Sequence, residues 1–254
     1  MPEIPASLKA LLSNLIDYAG LYPPAALPLP DVSEKYAAYR ASPHSWMLNR
    51  VVLPAAKLAE APVGEGWRIT LLVDSEPGPL PPQVETLETK LPHRLSLPTY
   101  CEVPVGQLTD AFAKVRTGGL TPDAIPSPET IADFLKRAAS RRLPFKATAG
   151  LHHPIRSLRP LTYAADSPRA AMHGFLNVFI AAAFAWYGED MLLEEILQEE
   201  NPQAFAFAGD VLQWRDYGLT IEQIQAARRD FAHSFGSCSF EEPVADLREL
   251  GLLP

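Results

Sequence analysis

Short apolar runs alternate with helical patterns along the whole chain, and this alternation constrains the fold more than any other feature. Strand-like runs are predicted at residues 16–20, 48–53, 69–73, 99–105, 112–116, 145–151 and 232–240. The run at 69–73 is the clearest, being β-branched and apolar and stopping at Asp74. Between the runs lie helical patterns at 7–16, 31–40 (with Asp31 as the N-cap), just after Pro54, 83–90, from 128 onward, 169–187, 189–199, 220–230 and 243–250. Ser127 followed by Pro128 is a good helix start, since proline tolerates the first helical position. Residues 204–214 read as a hairpin around Gly209-Asp210. About eight strand-then-helix units of roughly 30 residues each are what βαβ repetition requires. The expected fold class is therefore α/β, a single-domain (β/α)8 TIM-type barrel over residues 1–254, irregular near the seventh unit.

Proline tests that reading, because 26 in 254 residues is about twice the usual share. No proline-rich stretch separates halves of different pattern: Pro54, Pro104, Pro144 and Pro154 flank strands, and Pro128 and Pro243 start helices. The prolines thus argue for many short units with stiffened loops, not for a linker. The 47% apolar content supports a full core, which excludes wholesale disorder.

The formal charge of −8 argues against nucleic acid as a partner, which needs clustered Lys and Arg. No stretch approaches the ~18–20 apolar residues of a membrane span; residues 175–186 come nearest and are followed at once by acids. The N-terminal residues lack a basic region leading into a long apolar block, so no signal peptide is expected. Cys101 and Cys238 make no disulfide framework, and a cytoplasmic location follows as the expectation. The apolar segment 175–186 serves either the core or a homo-oligomer interface.

In a barrel, reactive groups gather at the C-terminal ends of the strands. The run Phe145-Lys146-Ala147-Thr148-Ala149-Gly150-Leu151-His152-His153 is the sharpest candidate. A lysine inside an apolar strand is expensive unless paired or deprotonated. Facing the interior, Lys146 is expected to have a depressed pKa, suiting an imine-forming nucleophile or a base. The competing reading is a structural ion pair with Asp17 or Glu102. Lys114 and Arg116 share a strand face just before Thr117-Gly118-Gly119, a set suited to holding an anionic group on a guanidinium and close backbone. Ser237 and Ser239, in a Gly/Ser-rich loop before a helix, form a second anion-site candidate. The catalytic set is then Lys146 with His152, Glu102 and Asp17, acting on a small anionic substrate as a lyase of aldolase type or an isomerase. No cofactor is called for. The alternatives are a metal site built from His152, His173 and a carboxylate, and a non-catalytic binding or scaffold protein. His44 and His93 lie in proline-containing loops and are expected at the surface.

The stretch from Lys146 to Gly150 resembles the Schiff-base strand of class I aldolases of the deoxyribose-phosphate type. That resemblance implies Lys146 as the imine former. The strings FKATAGLHHP and SFGSCSFEEPV resemble those of a family of uncharacterised bacterial proteins of barrel-like fold, which implies no activity.

Overall fold

The computed structural model describes residues 3–102, 104 and 107–254. Among the described residues, thirteen strands and seven α-helices follow in chain order: α1 (Ala6–Leu12), β1 (Ile16–Tyr18), α2 (Leu29–Arg40), β2 (Leu48–Pro54), β3 (Ile69–Leu72), β4 (Val84–Thr89), β5 (Thr99–Glu102), β6 (Phe112–Arg116), α3 (Pro128–Ser140), β7 (Phe145–Thr148), β8 (Ser157–Pro160), β9 (Arg169–Met172), α4 (Phe175–Trp186), α5 (Leu193–Gln198), β10 (Phe205–Ala208), β11 (Val211–Trp214), β12 (Tyr217–Thr220), α6 (Ile221–Asp230), β13 (Ala232–Ser237) and α7 (Glu241–Glu249). Eight of the strands close a parallel barrel in the order β1-β13-β7-β6-β5-β4-β3-β2. The expected TIM-type barrel is therefore present, with helices interleaved. The predicted run at 99–105 ends at Glu102 as a strand, and its residues 103 and 105 lie outside the described residues.

The helices are distributed unevenly. Between β2 and β6 the described residues contain no α-helix, only the 3-10 turn Ala55–Lys57. The helix expected at 83–90 is instead β4, in which Thr86 and Glu88 alternate with Leu87 and Thr89. Thr86 Oγ1 meets Thr70 Oγ1 of β3 at 2.9 Å, so the period of two outranks the helix-forming tendency of the glutamates. The long connection from β7 to β13 is the irregular seventh unit. It holds the β8–β9 hairpin, the antiparallel β10-β11-β12 sheet and three helices. Gly209, at φ +57°, turns β10 into β11 as the sequence predicts. The segment 169–187, read as one helix, divides into β9 and α4.

Local signals account for several boundaries. Ser127 Oγ accepts the Thr130 N–H, capping α3 with Pro128 at its first position. Thr220 and Gln223 form a reciprocal capping box at α6. Asp31 is not a cap, because α2 starts at Leu29 behind Pro28 and Asp31 falls in its first turn. α4 is apolar all round, and Phe175 to Ala185 are all buried within the chain, so this helix belongs to the core. Phe175 stacks on Phe235 of β13 and Phe179 packs against it at a tilt, at centroid distances of 5.3 and 5.9 Å. No helix among the described residues is long and apolar enough to cross a membrane.

The N-terminal end of the barrel is plugged by polar groups. Arg228 reaches the backbone oxygens of Leu11 (2.8 Å), His233 (2.6 Å) and Ala232. His233 Nδ1 pairs with the Tyr100 hydroxyl at 2.6 Å. Burial, with the Arg228 charge adding to it, pushes the His233 pKa down to about 4.

Candidate functional site

Strand register assembles the site. Across neighbouring strands Glu102 lies opposite Lys114, Lys114 opposite Lys146, and Lys146 opposite Ser234. Two lysines side by side on one sheet face repel each other unless an anion sits between them. Glu88 is that anion: one oxygen takes Lys114 Nζ at 2.7 Å and the other takes Lys146 Nζ. β13 separates β1 from β7 but presents small Ser234 and Gly236 there. Asp17 of β1 therefore reaches Lys146 Nζ at 2.5 Å. Its remaining acceptor capacity is filled by Asn49 Nδ2 (2.7 Å), the Arg50 N–H (3.2 Å) and Ser234 Oγ (2.8 Å).

The result is a ladder of alternating sign: Asp17, Lys146, Glu88, Lys114, Glu102, Arg116. Glu102 closes it by holding Lys114 Nζ and Arg116, each at 2.9 Å. Three carboxylates and three cations balance, and burial deepens from Arg116, half exposed, to Lys146, 1% exposed. The expectation of a depressed Lys146 pKa is corrected. Burial alone pulls it down, but the Asp17 and Glu88 charges and hydrogen bonds outweigh burial and raise it, so Lys146 stays charged. For Glu88, burial pulls the pKa up, and the two ammonium groups reverse that and hold it at about 2. Glu102 is likewise held below the ordinary carboxylate range, its burial outweighed by Lys114 and Arg116.

A cavity of about 540 Å³ opens at the C-terminal end of the strands, with Glu88, Glu102, Lys114 and Arg116 in its wall. Lys146 does not line it, and neither does Asp17: both lie beneath the wall. Of the two lysines in the ladder, Lys114 is thus the one that faces the cavity. Gly118 and Gly150 pack so closely that a Cβ on Gly118 would lie 2.9 Å from the Gly150 Cα, and both line the cavity together with Gly119. Lys90, exposed at the end of β4, adds a cation at the rim. Tyr22, Val52, Leu72 and Met172 furnish part of an apolar wall.

The remaining candidates are placed differently from expectation. β7 ends at Thr148, so His152 and His153 do not point to opposite faces of a strand. Both turn toward α7, where His152 Nδ1 meets Glu242 at 3.2 Å and His153 Nδ1 meets Asp246 at 2.6 Å. Ser237 Oγ pairs with His152 Nδ1 at 3.4 Å and accepts the Ser239 N–H, while Ser239 Oγ accepts the Glu242 N–H. Their hydroxyls are engaged within this turn, and neither serine lines the cavity. His173 is buried, its Nε2 on the Pro126 carbonyl at 2.8 Å, and burial lowers its pKa. Asn177 bonds the Ile196 and Glu199 carbonyls, so the His173/Asn177 pair holds structure. Among the described residues no group of three His, Cys, Asp or Glu side chains is placed to hold a metal ion, which removes the geometry that the His152/His173 alternative needs. His44 is buried rather than exposed, against Arg248 Nη2 at 2.9 Å. The Cys238 thiol lines the cavity, and burial pushes its pKa up.

Sequence reasoning missed Glu88, because its segment reads as a helix. Its signal was the alternation Val84, Thr86, Glu88.

Acid is expected to unfold the protein in two stages. His233 is neutral in the fold and takes a proton in the unfolded chain below its ordinary value of 6.5. Its contribution is whole above 6.5 and is lost as pH falls toward about 4, a loss on the order of 3 kcal/mol. Glu88 contributes above its ordinary 4.5, and that contribution is lost as pH falls toward about 2. Urea midpoints at pH 7, 4.5 and 3 check this, with the first stage smaller in His233→Gln; buried His173, whose pKa burial also lowers, keeps a part of it. A wild-type midpoint unchanged between pH 7 and 4.5 rules out the His233 part.

No family model, curated protein or solved structure matches the chain.

Proposed function

We propose that the protein is a barrel enzyme acting on a small anionic carbonyl compound, a lyase of aldolase type or an isomerase, with Lys114 as the imine-forming amine. The carrying observation is that Lys114, only 7% exposed, is the lysine of the buried ladder that stands in the cavity wall. Attack on a carbonyl needs the free amine, so Lys114 must pass a proton to one of its two carboxylates. Two arrangements support that transfer. Glu102 accepts at 2.9 Å from Lys114, and Lys146 competes for Glu88, weakening that carboxylate's hold on the Lys114 ammonium. Lys146 then has the positioning role and Lys114 the chemical one, whereas the sequence alone assigned the chemistry to Lys146 and anion binding to Lys114. Arg116, Lys90 and the glycine-lined side at Gly118 and Gly119 suit an anionic group on the substrate. An imine carries the carbon skeleton's electron pair into nitrogen, which is what breaking a neighbouring carbon–carbon or carbon–hydrogen bond requires.

Borohydride reduction in the presence of acetaldehyde, pyruvate or dihydroxyacetone tests this. Peptide mass mapping is expected to find a reduced adduct of at least one probe on Lys114. Adducts on Lys146, or none on Lys114, overturn the reading.

A further inference from the structure

The main cavity adjoins a smaller one of about 160 Å³, and His152 stands in the walls of both. Its Nδ1 side is fixed by Glu242 at 3.2 Å, while its Nε2 makes no hydrogen bond among the described residues. Burial pulls the Glu242 pKa up, but hydrogen bonds from His152 and Tyr163 are among the causes that reverse this and hold it below the ordinary range, so Glu242 stays ionised. A carboxylate on Nδ1 selects the tautomer with its proton there and leaves Nε2 as the basic atom.

The other proton-carrying groups around the cavity are either held in ion pairs or keep their protons. Both Glu88 oxygens hold ammonium groups, and the Glu102 oxygens hold Lys114 and Arg116. Tyr22 and Cys238 keep their protons, because burial pushes both pKa values up. Lys90 is a rim cation. His152 Nε2 is therefore the basic atom left open at the cavity.

We infer that His152, oriented by Glu242, moves the proton on the carbon next to the imine carbon of a Lys114 adduct, so that the compound taken is an enolisable carbonyl. This rests on the imine reading above. When Lys114 Nζ forms the C=N bond, the carbonyl oxygen leaves as water with two of the three ammonium protons, one of them handed back by Glu102, and the nitrogen keeps the third as an iminium. His152 Nε2 then takes a proton from the adjacent carbon; the C–H electron pair becomes the C=C bond of an enamine, and the C=N π pair returns to nitrogen. Reversal restores the proton to carbon, and water hydrolyses the imine, so no oxidant or reductant is needed. The smaller cavity gives room beside His152 for a group that leaves or joins at that carbon.

The test follows loss of the Cα–H signal of acetaldehyde, pyruvate and dihydroxyacetone in deuterated water by proton NMR, beside borohydride trapping. Wild type is expected to exchange at least one trapped probe. His152→Ala is expected to exchange about 10²–10⁴-fold more slowly while trapping the same probe on Lys114. Added imidazole should restore part of that rate, and Glu242→Gln should exchange more slowly than wild type with trapping intact. Wild-type exchange in His152→Ala, or trapping without exchange in wild type, overturns the inference and leaves the imine reading standing. Loss of both trapping and exchange in His152→Ala without imidazole rescue makes His152 structural and also overturns it. Absence of any Lys114 adduct in wild type overturns both.

Discussion

Lys146→Met is expected to lower stability by about 3–5 kcal/mol, the range for breaking a buried ion pair from one side. Methionine nearly fills the space, so the loss measures charge and not volume. Asp17 would keep Asn49, the Arg50 N–H and Ser234, but its cation would be gone. Glu88 would keep only Lys114. Both carboxylates are almost wholly buried, so water cannot replace the missing ammonium. Urea unfolding at pH 7 reads the change, and a shift below about 1 kcal/mol would show that the pair contributes nothing net. Adding Asp17→Asn should recover part of the loss, because it removes the stranded charge; the two changes are then non-additive.

Lys114→Met is expected to fail in the opposite way. Each of its carboxylates retains another cation, Lys146 for Glu88 and Arg116 for Glu102, so the fold should lose only about 1–3 kcal/mol. Borohydride adducts, in contrast, should vanish from intact-mass spectra, and exchange of the trapped probe should drop by about 10³-fold or more, since an imine cannot form without the amine. The two lysines lie opposite each other in register on adjacent strands. Their variants separate chemistry from support: one leaves a folded chain without adducts, the other a weakened chain. A Lys114→Met protein that still forms adducts at the wild-type rate would rule out Lys114 as the imine former.

The barrel was legible because its strands are short apolar runs between turn residues, a pattern that survives local misreading. Lys146 was legible too, as a charge inside the apolar run Phe145 to Thr148. Its partner Glu88 was not, since Val-Glu-Thr-Leu-Glu-Thr carries glutamates that favour helix, and only the closed sheet makes its alternation decisive. The roles of Lys114 and Lys146 depend on depth in the barrel, which residue spacing does not encode. The partnership of His152 with Glu242 spans 90 positions of the chain and depends on where α7 docks. The same docking accounts for Ser237 and Ser239: a Gly/Ser-rich turn before a helix looks open to an anion in sequence, yet here its hydroxyls are taken up locally.

The closing seam of the barrel pairs Ile16 with Phe235, joining segments more than 200 residues apart. It is also the seam across which Asp17 reaches Lys146, with Ser234 between them. Such distant contacts form late, because the entropy of joining remote segments must be met before they are rewarded. A partly assembled barrel that buried Lys146 before β1 and β13 met would hold a lysine without its Asp17 partner, an expensive state. The charge pair thus works as a latch on cooperativity. It withholds its stabilisation from incomplete assemblies and widens the energy gap between the finished barrel and its fragments.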